Sequence, residues 1–178
     1  NGHQVQLLEK NEKLGKKVYI TGKGRCNVTN ACDMEKLFES IVTNPKFMYS
    51  AFYSFSNEQL MQLLEEAGCR LKTERGERVF PVSDHASDVI VAMERLLKKS
   101  GVKIRLQSRV EQLICEEEGT RIAGVKMSGS GEILRADAVI LATGGLSYPS
   151  TGSTGEGMRM AEQTGHAIKA CRPALVPL

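Results

Sequence analysis

Apolar positions in this chain recur at two spacings, and their alternation predicts an α/β domain. Val5, Leu7 and Leu8 form a short run ending at Glu9, the pattern of a buried strand closed by an acid. A basic, glycine-rich loop follows from Lys10 to Asn30. Met34 to Ile41 predicts a short helix capped by Asp33, and Asn44-Pro45 breaks the chain. Helical spacing returns from Pro45 to Ala67, interrupted around Ser54 to Asn57, with Leu60, Met61, Leu63 and Leu64 as apolar positions and Gly68 as the stop. Cys69 to Val82 predicts a hairpin about Arg75-Gly76-Glu77. Val89, Ile90, Met93, Leu96 and Leu97 stripe the next helix. Ser83 or Asp84 is its candidate cap, Lys98-Lys99 suit its negative end, and Gly101 its stop. Val102 to Leu106 reads as a strand feeding Arg109 to Glu116. Ile122 to Met127 and Glu132 to Leu134 follow, joined by the turn Ser128-Gly129-Ser130-Gly131. Val139 to Leu141, inside the all-apolar run from Ala138 to Ala142, reads as a fully buried strand of a parallel sheet. Gly155 to Thr164 predicts a last helix ending at Gly165.

This order of strand, helical insert, helix, strand, meander, buried strand and helix points to an α/β core with a meander on one face. The length of 178 residues suits one domain, and 41% hydrophobic with 25% charged residues is ordinary for a globular chain. A net charge of +3, dispersed along the chain, gives no footprint for nucleic acid. No apolar run approaches the ~18–20 residues of a membrane span. The five cysteines are odd in number and lack a C-x-x-C, which supports neither a disulfide framework nor a zinc ribbon. Free thiols in a reducing cytoplasm are the plain reading.

Four stretches carry candidate chemistry. Glu9 stands where the second strand of a Rossmann unit places an acid for the adenosine ribose hydroxyls; a surface acid at a strand end is the competing reading. The glycine fingerprint of that unit lies roughly 20 residues upstream of the acid, and only eight residues precede Glu9 here. Gly15, Gly22 and Gly24, with Lys16, Lys17, Lys23 and Arg25, would let backbone N–H groups and cations approach a pyrophosphate or a flat ring. Ala142-Thr143-Gly144-Gly145 ends the predicted parallel strand, where ligands of such sheets bind; taken alone it is also a tight turn. Thr151-Gly152-Ser153-Thr154-Gly155-Glu156-Gly157 precedes the last helix, either as an anion site or as a glycine-rich cap with Thr154 capping.

The order Glu9, Lys13-Leu14-Gly15-Lys16-Lys17, Ile20-Thr21-Gly22-Lys23-Gly24-Arg25-Cys26-Asn27-Val28-Thr29-Asn30, Val79-Phe80-Pro81-Val82-Ser83-Asp84, and Ala142-Thr143-Gly144-Gly145 through Gly157 resembles the HI0933-like flavoprotein family. The resemblance covers essentially the whole chain. It implies a three-layer FAD/NAD(P)-binding Rossmann-like (ββα) fold lacking its first strand and its C-terminal closing segment. It also implies a partial FAD-binding domain over residues 1–172, a mostly helical insert at about 33–82, and an inserted β-rich domain starting at 173–178. By the same resemblance Glu9, Lys10, Gly15, Lys16, Thr21, Gly22, Gly24, Arg25, Cys26, Asn27, Val110, Ala142, Thr143, Gly144, Thr154, Gly155 and Gly157 bind the cofactor. The activity it implies is FAD-dependent oxidoreduction, with hydride passing between NAD(P)H and a small organic substrate, an activated double bond or an amine among the candidates. No nucleic-acid or membrane partner is expected. The alternatives are a flavoprotein acting on tRNA and a non-catalytic nucleotide-binding domain.

No catalytic acid or base emerges. Cys26 reads as a thiol packed beside the ring rather than a redox partner, and Tyr148 as a packing residue. His85 and His166 suit surface or capping roles. Phe47, Tyr49, Phe52, Tyr53 and Phe55 stand at helical spacing and read as core.

Overall fold

A computed structural model describes residues 2–116, 119 and 121–172. The expected domain start at 173–178 lies outside the described residues. The backbone divides into two compact units, one formed by 1–7 with 14–104 and the other by 8–13 with 105–178.

Strand β1 (Gln6–Leu8) pairs with β5 (Lys103–Arg105). Lys103 N–H donates to Val5 O (3.0 Å), and Glu9 N–H to Arg105 O (2.9 Å). The bonds advance in the same direction along both strands, which is the parallel pattern.

The first unit otherwise runs α1 (Lys16–Ile20), a 3-10 turn (Thr21–Gly24), β2 (Thr29–Asn30), α2 (Met34–Glu39), a second 3-10 turn (Pro45–Met48), α3 (Tyr49–Ser54), α4 (Asn57–Glu66), β3 (Leu71–Glu74), β4 (Arg78–Pro81) and α5 (Ala86–Lys99). The helix starts follow from local chemistry. Asp33 accepts from Lys36 N–H, and Ser56 and Gln59 form a reciprocal capping box that separates α3 from α4. β2, β4 and β3 make an antiparallel sheet, with Thr73 opposite Val79 and Thr29 on the other side of the same valine. The core gathers Cys26, Leu64, Cys69, Ala86, Val89 and Ala92, with Val18 and Leu60 packed against it.

The second unit holds the meander β6 (Val110–Cys115), β7 (Ile122–Met127) and β8 (Ile133–Arg135), then a 3-10 turn (Pro149–Thr151) and α6 (Glu156–Gln163). Gly124 on β7 is required there: a Cβ would meet Leu134 O at 2.1 Å.

Five expectations are corrected. The stretch Lys10–Asn30 is not one loop; Lys16–Ile20 is helical and Thr29–Asn30 is a strand. The cap of α5 is His85, with no side-chain cap bond, while Asp84 is drawn into ion pairs instead. The cap of α6 is Gly155 at φ 77°, not Thr154, whose hydroxyl accepts from Lys10. Of the expected aromatic cluster, Tyr49, Phe52 and Tyr53 pack on Phe38 of α2, as in the edge-on Phe38–Tyr49 pair at 4.5 Å, yet Phe47 is 79% and Tyr53 71% exposed. Its helices are two short pieces, too short to turn every ring toward one face. Finally, Ala138–Ala142 forms no strand among the described residues, and Ile140 is 91% exposed. An apolar strand takes its burial and its hydrogen bonds from ladder neighbours, and none of the described strands pairs with it.

Candidate functional site

In the second unit the polar groups gather around the end of β1. Glu9 follows the strand directly, and its Oε1 accepts from the Asn11 N–H and from Asn11 Nδ2, both at 2.8 Å. The backbone around it is tied down as well: Ser108 N–H donates to Glu9 O and Gln107 N–H to Asn11 O, each at 2.9 Å. Asn11 Nδ2 also reaches Thr151 O at 3.2 Å, which brings the 3-10 turn over the strand end.

Lys10 points to the start of α6. Its Nζ donates to Thr154 Oγ1 at 2.9 Å and pairs with Glu156 Oε2 at 2.7 Å, while Arg109 Nη2 holds Glu156 Oε1 at 2.5 Å. Burial pushes the Glu156 carboxyl upward, but the bonds from Lys10 and Arg109 outweigh it, so the group sits below the usual glutamate range. Lys10, Asn11, Arg109, Gly152, Thr154 and Glu156 border an open pocket of about 340 Å³, the lower end of the usual ligand range.

Three glycines of this unit serve the protein's own packing. A Cβ on Gly157 would meet Thr143 Oγ1 at 2.1 Å, one on Gly155 the Leu146 Cδ2 at 2.7 Å, and one on Gly144 the Ser153 Oγ at 3.0 Å. The segment Ala142–Leu146 therefore lies against the start of α6, and Gly155 N–H donates to Gly145 O at 3.2 Å. Val110 opens β6 opposite Met127.

The first unit carries the second group of candidates. Gly15 begins α1 at φ 70°, where a Cβ would strike Ile90 at 2.8 Å; Lys16 is the first residue of the helix. Thr21 closes it, its hydroxyl bonding Val18 O at 2.7 Å. Then Gly22, Lys23, Gly24 and Cys26 all take left-handed backbone angles, φ 56°, 59°, 88° and 60°. Two of these are not glycine, an unusual local conformation that marks a loop held by its surroundings. Cys26 is buried, and burial raises its thiol while the Thr21 hydroxyl opposes the rise. Asn27, with its amide turned to donate, bonds Thr29 O at 3.0 Å and Val79 O at 3.3 Å. Nothing lies within 4 Å of a Cβ on Gly24.

Arg25 behaves differently from a free loop cation. Its Nε donates to Asp84 Oδ1 at 2.7 Å, Nη2 pairs with Asp84 and Glu74, and the guanidinium stands 4.1 Å from the centre of the Phe80 ring. Lys72 Nζ binds Asp84 Oδ2 at 2.7 Å and approaches Glu74 at 3.5 Å. Sequence reasoning missed Glu74, Asp84, Lys72, Arg109 and Glu156. The Val-Phe-Pro-Val-Ser-Asp motif was the available signal for Asp84 and Phe80.

The donor set fits the ribose and phosphate half of a dinucleotide. Beside Glu9 stand a lysine, an arginine, an amide and hydroxyls, and the second Glu9 carboxylate oxygen takes no bond among the described residues. Among the described residues no group of three or more His, Cys, Asp or Glu could hold a metal ion, and no helix is long and apolar enough to cross a membrane.

The chain is 35% identical over 175 residues to a 3-dehydro-bile acid delta(4,6)-reductase of Clostridium scindens, covering 98% of this chain and 41% of that protein. It is 29% identical over 176 residues to a ribosomal RNA dihydrouridine synthase of Escherichia coli, covering 99% of this chain and 42% of that protein. The chain thus spans about two-fifths of the length of these curated relatives. Among solved structures, the open conformation of a flavocytochrome c3 fumarate reductase matches with a TM-score of 0.46 and 26% identity, over 60% of this chain and 24% of that one. A family model described as the HI0933-like protein Rossmann domain matches residues 1–171, and the chain belongs to that family.

Proposed function

We propose that this chain is the FAD-binding part of a reductase that takes electrons from NAD(P)H and saturates a carbon–carbon double bond conjugated to a carbonyl. The observation that carries the reading is the strand-end acid, Glu9, beside the Lys10–Thr154–Glu156–Arg109 cluster. The relatives' names support the reaction class. A Δ4,6 reductase of a 3-dehydro bile acid and a synthase of dihydrouridine share one chemical feature: each acts at a C=C bond activated by a carbonyl in conjugation.

Glu9 would accept from the ribose hydroxyls, using the carboxylate oxygen that Asn11 leaves open. Lys10 and Thr154 would orient the same end of the ligand, and the Val110 backbone would meet the adenine edge. Ala142, Thr143 and Gly144 would line the adenosine and pyrophosphate, with Gly155 and Gly157 keeping α6 close behind them. Thr21, Gly22, Gly24, Cys26 and Asn27 would border the ring, and the open space at Gly24 allows a flat group to approach the backbone. Bound FAD supplies the two-electron relay between nicotinamide and acceptor. Hydride adds to the carbon remote from the carbonyl and a proton to the nearer one, while NAD(P)H leaves as NAD(P)+.

A second reading takes the acceptor to be a uracil within RNA, which the relatives named as ribosomal RNA dihydrouridine synthases favour. One experiment separates the two. The purified protein is given NADH or NADPH with either a steroid enone or a uridine-containing RNA, and products are weighed by mass spectrometry. A gain of two hydrogens on the enone supports the small-molecule reading, and the same gain on RNA the second. No gain on either refutes the reaction class.

A further inference from the structure

Resting on the FAD reading, we propose that Arg25 is a positioning residue that clasps the Thr21–Asn27 loop to β3, β4 and the turn before α5, and is not itself a ligand of the cofactor. A guanidinium offers five donors in a rigid fork. Here one edge of that fork is spent on Asp84 and Glu74, and its face lies on Phe80. Lys72 closes the cluster from the other side, so two cations and two carboxylates cancel. A phosphate arriving at Arg25 would meet a neutral cluster and would have to strip the guanidinium of its partners.

Phe80, 3% exposed, shows what the clasp grips. A Cβ on Gly22 would come within 3.2 Å of its Cε1, while Arg25 covers the ring 4.1 Å from its centre. The loop is thus fastened to one ring of β4 at both Gly22 and Arg25. Such fastening is needed because Lys23 and Cys26 hold left-handed angles that L-residues avoid. Asp84 sits at φ 60° as well, so the acid end of the clasp also holds a constrained backbone conformation. The electrostatics agree: Arg25 is the main cause that lowers the Glu74 carboxyl, and Lys72 followed by Arg25 lowers that of Asp84. Lys23 is the contrasting cation, with no hydrogen bond or ion pair among the described residues.

The test uses the full chain, with Arg25→Gln, Glu74→Gln and Asp84→Asn compared by FAD titration and by the rate of tryptic cleavage after Lys23. A clasp predicts that all three variants weaken FAD binding and speed cleavage, each by up to about fivefold for a partly exposed pair. The double variant Arg25→Gln/Asp84→Asn should then lose less than the sum of the two single losses, the remainder being the Lys72–Asp84 pair. A direct ligand predicts the opposite for the acids: Glu74→Gln and Asp84→Asn would free Arg25 and leave FAD binding equal or tighter, overturning the proposal. Unchanged cleavage in all three variants overturns it too. If the parent protein binds no FAD, the cofactor reading fails, while the cleavage rates still decide whether Arg25 clasps the loop.

Discussion

Gly157→Ala tests whether the glycines near α6 are bare for the protein's packing or for a ligand. Gly157 is the second residue of α6, and its φ is not left-handed. On helix propensity alone alanine should gain about 0.8–1 kcal/mol. The built Cβ, however, falls 2.1 Å from Thr143 Oγ1, 3.2 Å from its Cβ and 3.3 Å from its Cγ2. Turning χ1 of Thr143 moves Oγ1 away but leaves its Cβ crowded, so the backbone of 142–144 must retreat. Overpacking of this kind costs about 1–3 kcal/mol. The net effect is a loss of up to about 2 kcal/mol, and each kcal/mol lowers Tm by about 2–4 °C in a chain of this length. In a Thr143→Gly background all three of these atoms are gone, and the same substitution should stabilise by up to about 1 kcal/mol. The assay is urea or thermal unfolding of the four apoproteins of this cycle. If Gly157 stabilises nothing but cofactor access, Gly157→Ala makes the parent apoprotein more stable. That gain, or an equal effect in both backgrounds, refutes the packing argument.

Three further outcomes follow from the same structure. Glu156, Glu74, Asp84 and Glu132 have carboxyls held below their ordinary values of 4.5 for glutamate and 3.8 for aspartate. Their contribution is therefore complete above those values and lost as pH falls through the lower folded ones. Tm should hold steady above about pH 5 and decline below about pH 4, less steeply in high salt; a flat acid limb would contradict these ion pairs. Cys26, Cys32 and Cys69 are buried with thiols raised chiefly by burial, whereas Cys171 is exposed. A disulfide reagent at pH 8 should label Cys171 first and the buried three only with unfolding, read by peptide mass. Leu64→Ala, at a side chain 1% exposed in the core of the first unit, should cost about 2–5 kcal/mol in urea unfolding, and a loss under about 1 kcal/mol would displace it from the core.

What was legible in the sequence was what local chemistry decides. The stripe on Ala86–Lys99, the cap at Asp33 and the break before Asn57 each depend on residues within a few positions of one another. The meander was legible because strand periodicity and the turn Ser128–Gly131 agree. Ala138–Ala142 shows the limit: an apolar run encodes a demand for burial, not the neighbour that meets it. The Phe38–Tyr53 rings show another, since helical spacing does not say which side of a short helix the core lies on. At the candidate site, glycines and the strand-end acid stood out because their residue types are distinctive. The ion pairs did not, because Lys10 meets Glu156 across 146 positions and Arg25 meets Asp84 across 59. Any of the 24 lysines and arginines could have partnered any of the 21 acids.

The central claim is that this chain helps to hold FAD. The most direct measurement is the visible absorption spectrum of the purified protein, before and after adding NADH or NADPH without oxygen. The account predicts an oxidised-flavin spectrum that bleaches with one of the two nicotinamides. A colourless protein that takes up no added FAD would contradict it.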